Sequence, residues 1–381
     1  MKNEPKIDEP KNTQNLTAYK RMYNRHRRRP QDPNFSDDIP ELLDFCNPSA
    51  NTGIVPLSQP SHAQYKGPIF GFRDKHPGFI YIPQALSKDV QLQLAYQSVS
   101  EFCEKPHRTN IDMIPIKENE VENQESETMW KLWKDANVRD DFEENEMTCK
   151  SSKKQKISKE NDTKVRYYRS MDKLSWATHG YHYDWTARAY NEGMKSPMPN
   201  VLSTLGSIFA SVDPACNNKD TDNSKFNASA TIVNYYTLRS NMGGHRDDLE
   251  LDFTKPVVSL SLGLPAVFLL GGKTKEDEVT PILVRPGDVM LLAGGSRLAF
   301  HGMARLIPEQ VKLPIVDSCF SCSDHEKDNQ ICTLFSKENN DIDEEQQITI
   351  CRFLKSHRIN INIRQVLPHN MKEVPPNEKH L

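Results

Sequence analysis

The stretch "HRININIRQV" at 357–366 alternates without a break. Ile359, Ile361 and Ile363 fall on one parity, and Arg358, Asn360, Asn362 and Arg364 fall on the other. Side chains two apart on an extended strand share a face, and β-branched isoleucine suits a pleated, half-buried surface. The chain must therefore build a strand that is apolar on one side and rich in cations and amides on the other. Taken alone, such a strand can turn its polar face to solvent. A polar interior is the alternative, and it requires other strands to bring complementary groups.

Such strands are present. "HPGFIYIP" (76–83), "ATIVNYY" (230–236), "PVVSLSLGL" (256–264), "AVFLLGG" (266–272) and "PILVRPGDVMLLAG" (281–294) are rich in Val, Ile, Leu and aromatics, with Gly/Pro turns between them. Few helical stretches separate them, which favours antiparallel pairing over a βαβ series. The expected fold class is α+β with a mainly β core: a sandwich or jelly roll with flanking helices. One such helix follows Ser87, a good N-cap, with Val90, Leu94 and Val99 at helical spacing.

Charge is nearly balanced, with 49 basic and 52 acidic residues among 381, so overall charge makes no case for a nucleic-acid partner. No apolar run reaches the roughly 18–20 residues that span a bilayer, and "MKNEPKIDEP" has no secretory h-region. No membrane partner is expected. Basic residues concentrate at 18–30, "AYKRMYNRHRRRP", a solvated helix face, a phosphate-tracking arm or a localisation signal. Residues 115–165 turn polar and charged, interrupted by "MWKLWKD" at 129–135. Cys319, Cys322, His325 and Cys332 cluster in sequence, and free thiols on a polar loop are favoured over a zinc site.

The segment "NYYTLRSNMGGHRDDLE" (234–250) carries the chemistry. Its His-Arg-Asp is not a kinase catalytic loop, because Asp252 stands where an Asn is needed. "GGKT" at 271–274 is not a phosphate-binding loop, because Val267 stands where its first glycine belongs. On an extended segment His245 and Asp247 point the same way, as do Asn234 and Tyr236. With His301 of "SRLAFHGMARL" as a third donor, they form the two-histidine, one-carboxylate set suited to Fe(II) with open positions. A 2-oxo acid can chelate through such positions, and its distal carboxylate then needs a fixed cation. Arginine provides one with a planar fork and permanent charge.

In the order N-x-Y, H-x-D, H, R-x-N-x3-R, the chain resembles the Fe(II)/2-oxoglutarate-dependent dioxygenases of the AlkB family. "LSWATHGYHYDW" (174–185), "PGDVMLLAGGSRLAFH" (286–301) and "RININIRQV" are similar to its homologue-one subgroup of nucleic acid dioxygenases. The resemblance implies a double-stranded β-helix with Fe(2+) on His245, Asp247 and His301, and 2-oxoglutarate and O2 as co-substrates. It assigns Asn234, Tyr235, Tyr236, Arg358, Asn360 and Arg364 to 2-oxoglutarate. Substrate contacts carry over to Trp133, Trp176, Tyr181, His182 and Tyr183, with Trp133 read as a mobile aromatic lid and Trp185 as core. The family's acidic substrate-reading position, two past the metal Asp, is Leu249 here.

The implied substrates are N1-methyladenine and 5-methylcytosine in tRNA and N6-methyladenine in DNA. A histone substrate for the same iron centre and a non-catalytic nucleic-acid-binding module are the alternatives. A monomer in nucleus, cytoplasm or mitochondrion is expected. The implied organisation is a basic extension over 1–65, partly disordered, then a helical recognition region with a flexible insertion over 66–170. The oxygenase domain follows over 171–370, and a tail over 371–381.

Overall fold

The computed structural model describes residues 16–27, 42–51, 53–116, 120–121, 127–135, 166–184, 186–217, 225–309, 313, 329–336 and 342–375. The loop cysteines Cys319 and Cys322, His325, Trp185 and most of the polar insertion lie outside them.

Eight strands make the central architecture: β1 (Ala230–Thr237), β2 (Met242–His245), β3 (Val257–Gly263), β4 (Ala266–Leu270), β5 (Thr280–Val284), β6 (Val289–Leu292), β7 (His301–Leu306) and β8 (His357–Arg364). One sheet contains them in the order β6-β3-β8-β1 and the other in the order β5-β4-β7-β2, each antiparallel. This interleaving is the double-stranded β-helix. Strands from earlier in the chain join both sheets. Residues 79–82, 70–72 and 54–56 extend the larger sheet beyond β6, and 176–184 and 108–109 extend it beyond β1, with 189–196 also on the 176–184 strand. Leu43–Asp44 pairs in parallel with β5.

Strand alternation decides what lies on each side of the larger sheet. Ile359, Ile361 and Ile363 are fully buried on its outer face, with Val258, Leu260 and Leu262 of β3 and Leu291 of β6. Over them pack the helices α2 (Lys88–Ser100), α3 (Asn200–Ala210), α4 (Asn329–Ser336) and α5 (Glu344–Leu354), which follow α1 (Ala18–His26) in the chain. Each buried isoleucine contributes about 1.5–3 kcal/mol, and a one-residue slip would turn all three inward. Register is thereby fixed with the arginines and asparagines facing the other sheet.

The helices start where their caps dictate. The Ser87 side chain accepts the Val90 N–H at the start of α2. Asp343 and Gln346 form a reciprocal box at the start of α5. Residues 329–336 are helical although Cys332 among them reads as part of a polar loop, and 344–354 form a second helix. Among the described residues, no helix is long and apolar enough to cross a membrane.

The basic N-terminal stretch is a docked helix. Tyr19, Tyr23 and His26 of α1 are buried at helical spacing, and the two tyrosines join Val267, Leu269, Leu283 and Ala304 outside the smaller sheet. Lys20, Arg21, Arg25 and Arg27 stay exposed.

Candidate active site

β2 and β7 pair so that His245 lies directly opposite His301, with ring centroids 4.4 Å apart. Each Nδ1 is hydrogen-bonded to a backbone carbonyl, His245 to Gly243 (3.1 Å) and His301 to Ala299 (3.0 Å). Those bonds fix the tautomer and leave each Nε2 lone pair facing Asp247. Nε2 of His245 is 4.0 Å from Asp247 Oδ1, and Nε2 of His301 is 3.9 Å from Oδ2. The donor atoms of the three lie within 4.8 Å of one another, and their chemistry fits one Fe(II). Burial, with His245 beside it, lowers the His301 imidazole to about 4, so it is neutral as a ligand must be. Burial by itself would raise the Asp247 carboxyl, but Arg364, His301 and His245 outweigh it and hold it ionised well below the usual carboxylate range.

A buried network that the sequence reading did not anticipate positions Asp247. Arg364 Nη2 donates to Asp247 Oδ2 at 2.8 Å. Arg297, 2% exposed, donates to the Asp247 carbonyl (2.7 Å), the Lys255 carbonyl (2.9 Å) and Glu250 Oε2 (2.9 Å). Glu250 also accepts from the Tyr190 hydroxyl at 3.1 Å and lies 3.3 Å from Arg364 Nε. Two guanidinium groups and two carboxylates thus neutralise one another around the turn after β2. Nothing in the local sequence around Glu250 or Arg297 marks them as buried partners.

Behind the histidines, α1 closes the backbone. A Cβ added at Gly244 would stand 2.4 Å from the Tyr19 ring, one at Gly302 2.8 Å from its hydroxyl, and one at Gly271 3.2 Å from the ring. Gly244 and Gly302 adjoin His245 and His301. The absence of side chains there admits the ring against the strands that carry the metal donors.

Between the sheets lies a cavity of about 390 Å³ whose lining includes the three metal donors together with Asn234, Tyr236, Arg358, Asn360 and Arg364. Arg358 is 3% exposed. Its guanidinium donates to Ser261 Oγ (2.9 Å) and the Leu264 carbonyl (3.3 Å). Among the described residues no carboxylate is within ion-pair reach of it. Burial pulls its pKa down, yet arginine does not release its proton at neutral pH. A buried cation of this kind fits an incoming carboxylate. Arg364 Nη1 is buried with no hydrogen-bond partner, a second donor for an anion beside the metal. When bound, Fe(II) with 2-oxoglutarate and O2 supplies the oxidising power to hydroxylate a C–H bond, with CO2 and succinate as co-products. The protein's own part is to orient the dicarboxylate, hold three donors on one side and exclude water.

The remaining expected residues divide. Tyr183 lines the cavity. The pairing of its strand with 189–196 shifts register between Tyr181 and Tyr183. Tyr181 lies one layer back, edge-on to Tyr190 at 6.4 Å and bonded to Glu192 at 2.8 Å. Trp176 is paired opposite Asn234 but does not line the cavity.

Three assignments need correction. Tyr235 has the parity opposite to Asn234 and Tyr236, so its side chain enters the outer core and its hydroxyl donates to the Ser98 carbonyl. His182 is buried away from the cavity, sharing a 2.7 Å hydrogen bond with Thr178 Oγ1, and burial pushes it down to about 4. Trp133 is no lid: it stacks on Trp130 at 5.1 Å and meets Phe353 of α5 edge-on at 5.3 Å, on the outer side of the larger sheet.

Fold and site together define an iron oxygenase that takes a 2-oxo acid. The family model of the 2OG-Fe(II) oxygenase superfamily matches residues 127–364. The DNA N(6)-methyladenine demethylase ALKBH1A of Arabidopsis thaliana is 32% identical over 86% of this chain and 87% of its own length. The human nucleic acid dioxygenase ALKBH1 is 30% identical over 83% and 69%, and the tRNA demethylase abh1 of Schizosaccharomyces pombe 26% over 72% and 82%. The chain belongs to the 2OG-Fe(II) oxygenase superfamily and, within it, to the AlkB family, alongside the homologue-one dioxygenases.

Proposed function

We propose that this dioxygenase demethylates nucleobases in nucleic acid, with N1-methyladenine in tRNA as its foremost substrate. Oxidation of 5-methylcytosine in tRNA is a second reaction of the same site, and N6-methyladenine in DNA is the competing substrate. One observation carries the reading: Tyr183 and Leu249 line the same 390 Å³ cavity as the metal donors, so an aromatic face and an apolar side chain stand beside the reacting centre. A base within a duplex cannot reach such a centre and must be unpaired or flipped into it. Stacking on an aromatic ring then contributes about 1–3 kcal/mol. The names borne by the plant, human and yeast relatives point to nucleic acid as well.

One oxygen atom of O2 enters the N-methyl group as a hydroxyl and the other enters succinate. The hydroxymethyl C–N bond then breaks and formaldehyde leaves, with N1 of adenine keeping the electron pair and a proton released to solvent, or with an N–H left at N6. Formaldehyde and succinate are measured with methylated tRNA, methylated DNA, their unmethylated counterparts and histone peptide. Equimolar release with N1-methyladenine tRNA, abolished by His245→Ala, is the expected result. Release with histone peptide alone overturns the reading.

A further inference from the structure

The rim of the cavity carries a charge arrangement that neither the metal nor the co-substrate uses. Arg188 Nη2 lies 3.6 Å from Asp248 Oδ1, and Arg246 Nη2 lies 3.5 Å from Asp248 Oδ2. All three side chains line the cavity. Two guanidinium groups, one on each oxygen of a single carboxylate, leave a net positive charge. Both separations exceed ordinary hydrogen-bond lengths, and the arginine side chains are 69% and 39% exposed. Such loose, solvated pairs are worth little, so an entering anion can displace the carboxylate at small cost. A phosphodiester offers two non-bridging oxygens in the same disposition as the carboxylate pair.

The backbone supports a use for Arg188. It sits at φ +51°, a conformation that disfavours residues with a side chain. The turn that holds it is fixed by the Asp184 side chain, which accepts the N–H groups of Thr186 (2.8 Å) and Ala187 (3.0 Å). Glycine would occupy that conformation without strain. The position instead carries a cation at the mouth of the cavity. Arg246, placed between two metal donors in sequence, rests over the Phe300 ring at 4.9 Å, an apolar support that holds its guanidinium at the rim.

We propose that Arg188 and Arg246 form a clasp for the phosphodiester backbone of a single-stranded nucleic acid beside the nucleotide in the cavity, with Asp248 as the internal anion that the phosphate displaces. This rests on the nucleic-acid reading of the site. The clasp makes the residues of one rim act in opposite directions. Removing an arginine weakens binding, whereas removing the Asp248 charge strengthens it.

The test is fluorescence-anisotropy binding of an unmethylated single-stranded RNA oligonucleotide to the full-length protein across a salt series. Arg188→Gly is expected to weaken binding about three- to tenfold at low salt and to reduce the log–log salt slope by about 0.7, the contribution of one phosphate contact on a single strand. Its thermal midpoint should equal or exceed that of the wild type, because glycine relieves the strained turn. That separates lost binding from lost folding. Asp248→Asn is expected to tighten binding by a similar factor. Weaker binding by Asp248→Asn, or an unchanged salt slope in Arg188→Gly, would overturn the clasp while leaving the nucleic-acid reading intact. A rise in the 2-oxoglutarate KM of Arg188→Gly with oligonucleotide affinity unchanged would also overturn it, assigning the rim to co-substrate entry. A wild-type protein that binds no oligonucleotide would instead overturn the reading beneath it.

Discussion

Replacing Arg358 by Met should leave the ligand-free protein at least as stable as the wild type while removing its response to 2-oxoglutarate. Arg358 is 3% exposed, and among the described residues its guanidinium donates only to Ser261 Oγ and the Leu264 carbonyl. An unpaired buried ion costs several kcal/mol. Methionine keeps the apolar stem and removes the charge, but it strands two acceptors at about 1–3 kcal/mol each if neither finds another donor. The Ser261 hydroxyl can rotate, so the charge effect prevails, with a gain of up to about 2 kcal/mol for the variant. Scanning calorimetry without co-substrate should therefore show a midpoint equal to or a few degrees above the wild type. With 2-oxoglutarate at a hundred times its Kd, the wild type gains about 2.7 kcal/mol, and the variant should gain almost nothing. A variant that melts well below the wild type when ligand-free, or still shifts with 2-oxoglutarate, would refute the claim that Arg358 is a cation held for an absent carboxylate.

Tyr19→Ala should empty the notch formed by Gly244, Gly271 and Gly302 and loosen both metal-bearing strands. Fe(II) affinity, read by isothermal titration, should fall about tenfold, the lower end for outer-shell support of a metal site, while Tyr19→Phe should bind as the wild type does. Glu250→Ala leaves Arg297 and Arg364 without their shared carboxylate; urea denaturation should show a loss of about 3–5 kcal/mol. Stability should also fall in mild acid. Burial lowers His26 to about 4 and His179 to about 3, so the unfolded chain binds protons below about pH 6.5 while the folded chain does not. Stability then rises with pH between roughly 4 and 6.5, and moving from pH 6.5 to 5 should cost up to roughly 2 kcal/mol per histidine. Denaturation at several pH values checks this, and His179→Gln should flatten the slope.

What the sequence disclosed was periodic. The parity of β8 separated Ile359, Ile361 and Ile363 from the arginines and asparagines, and the folded sheet keeps that division. His-x-Asp with a distal His was equally readable, because metal donors must be few and chemically distinct. The same parity rule applied to β1 excludes Tyr235, which alternates with Asn234 and Tyr236 and falls on the unspecified position of N-x-Y. Tyr19 and Tyr23 likewise stand four apart, an amphipathic signal obscured by the basic residues around them. Trp133 was beyond local reasoning. Its partner Phe353 is distant in sequence, on a helix that local pattern did not assign. Glu250 and Arg297 carry no local mark of burial either, because an ion network becomes recognisable only when strands far apart in the chain bring its members together.

Strand geometry also accounts for two arginines on β8 where one might suffice. Arg358 and Arg364 are six residues apart, so at about 3.3 Å per residue their backbones stand about 20 Å apart. They share a face, but they cannot grip one carboxylate bidentately. Arg364 is already engaged with Asp247 beside the metal donors, whereas among the described residues Arg358 has no acidic partner within ion-pair reach. An anion with a single carboxylate could satisfy only one of these places. A dicarboxylate lying along the strand, with one end at the metal and the other at Arg358, satisfies both, and the amides of Asn360 and Asn362 lie along the path between them. Selectivity for a two-ended acid therefore follows from the spacing of one strand, whatever substrate enters from the rim.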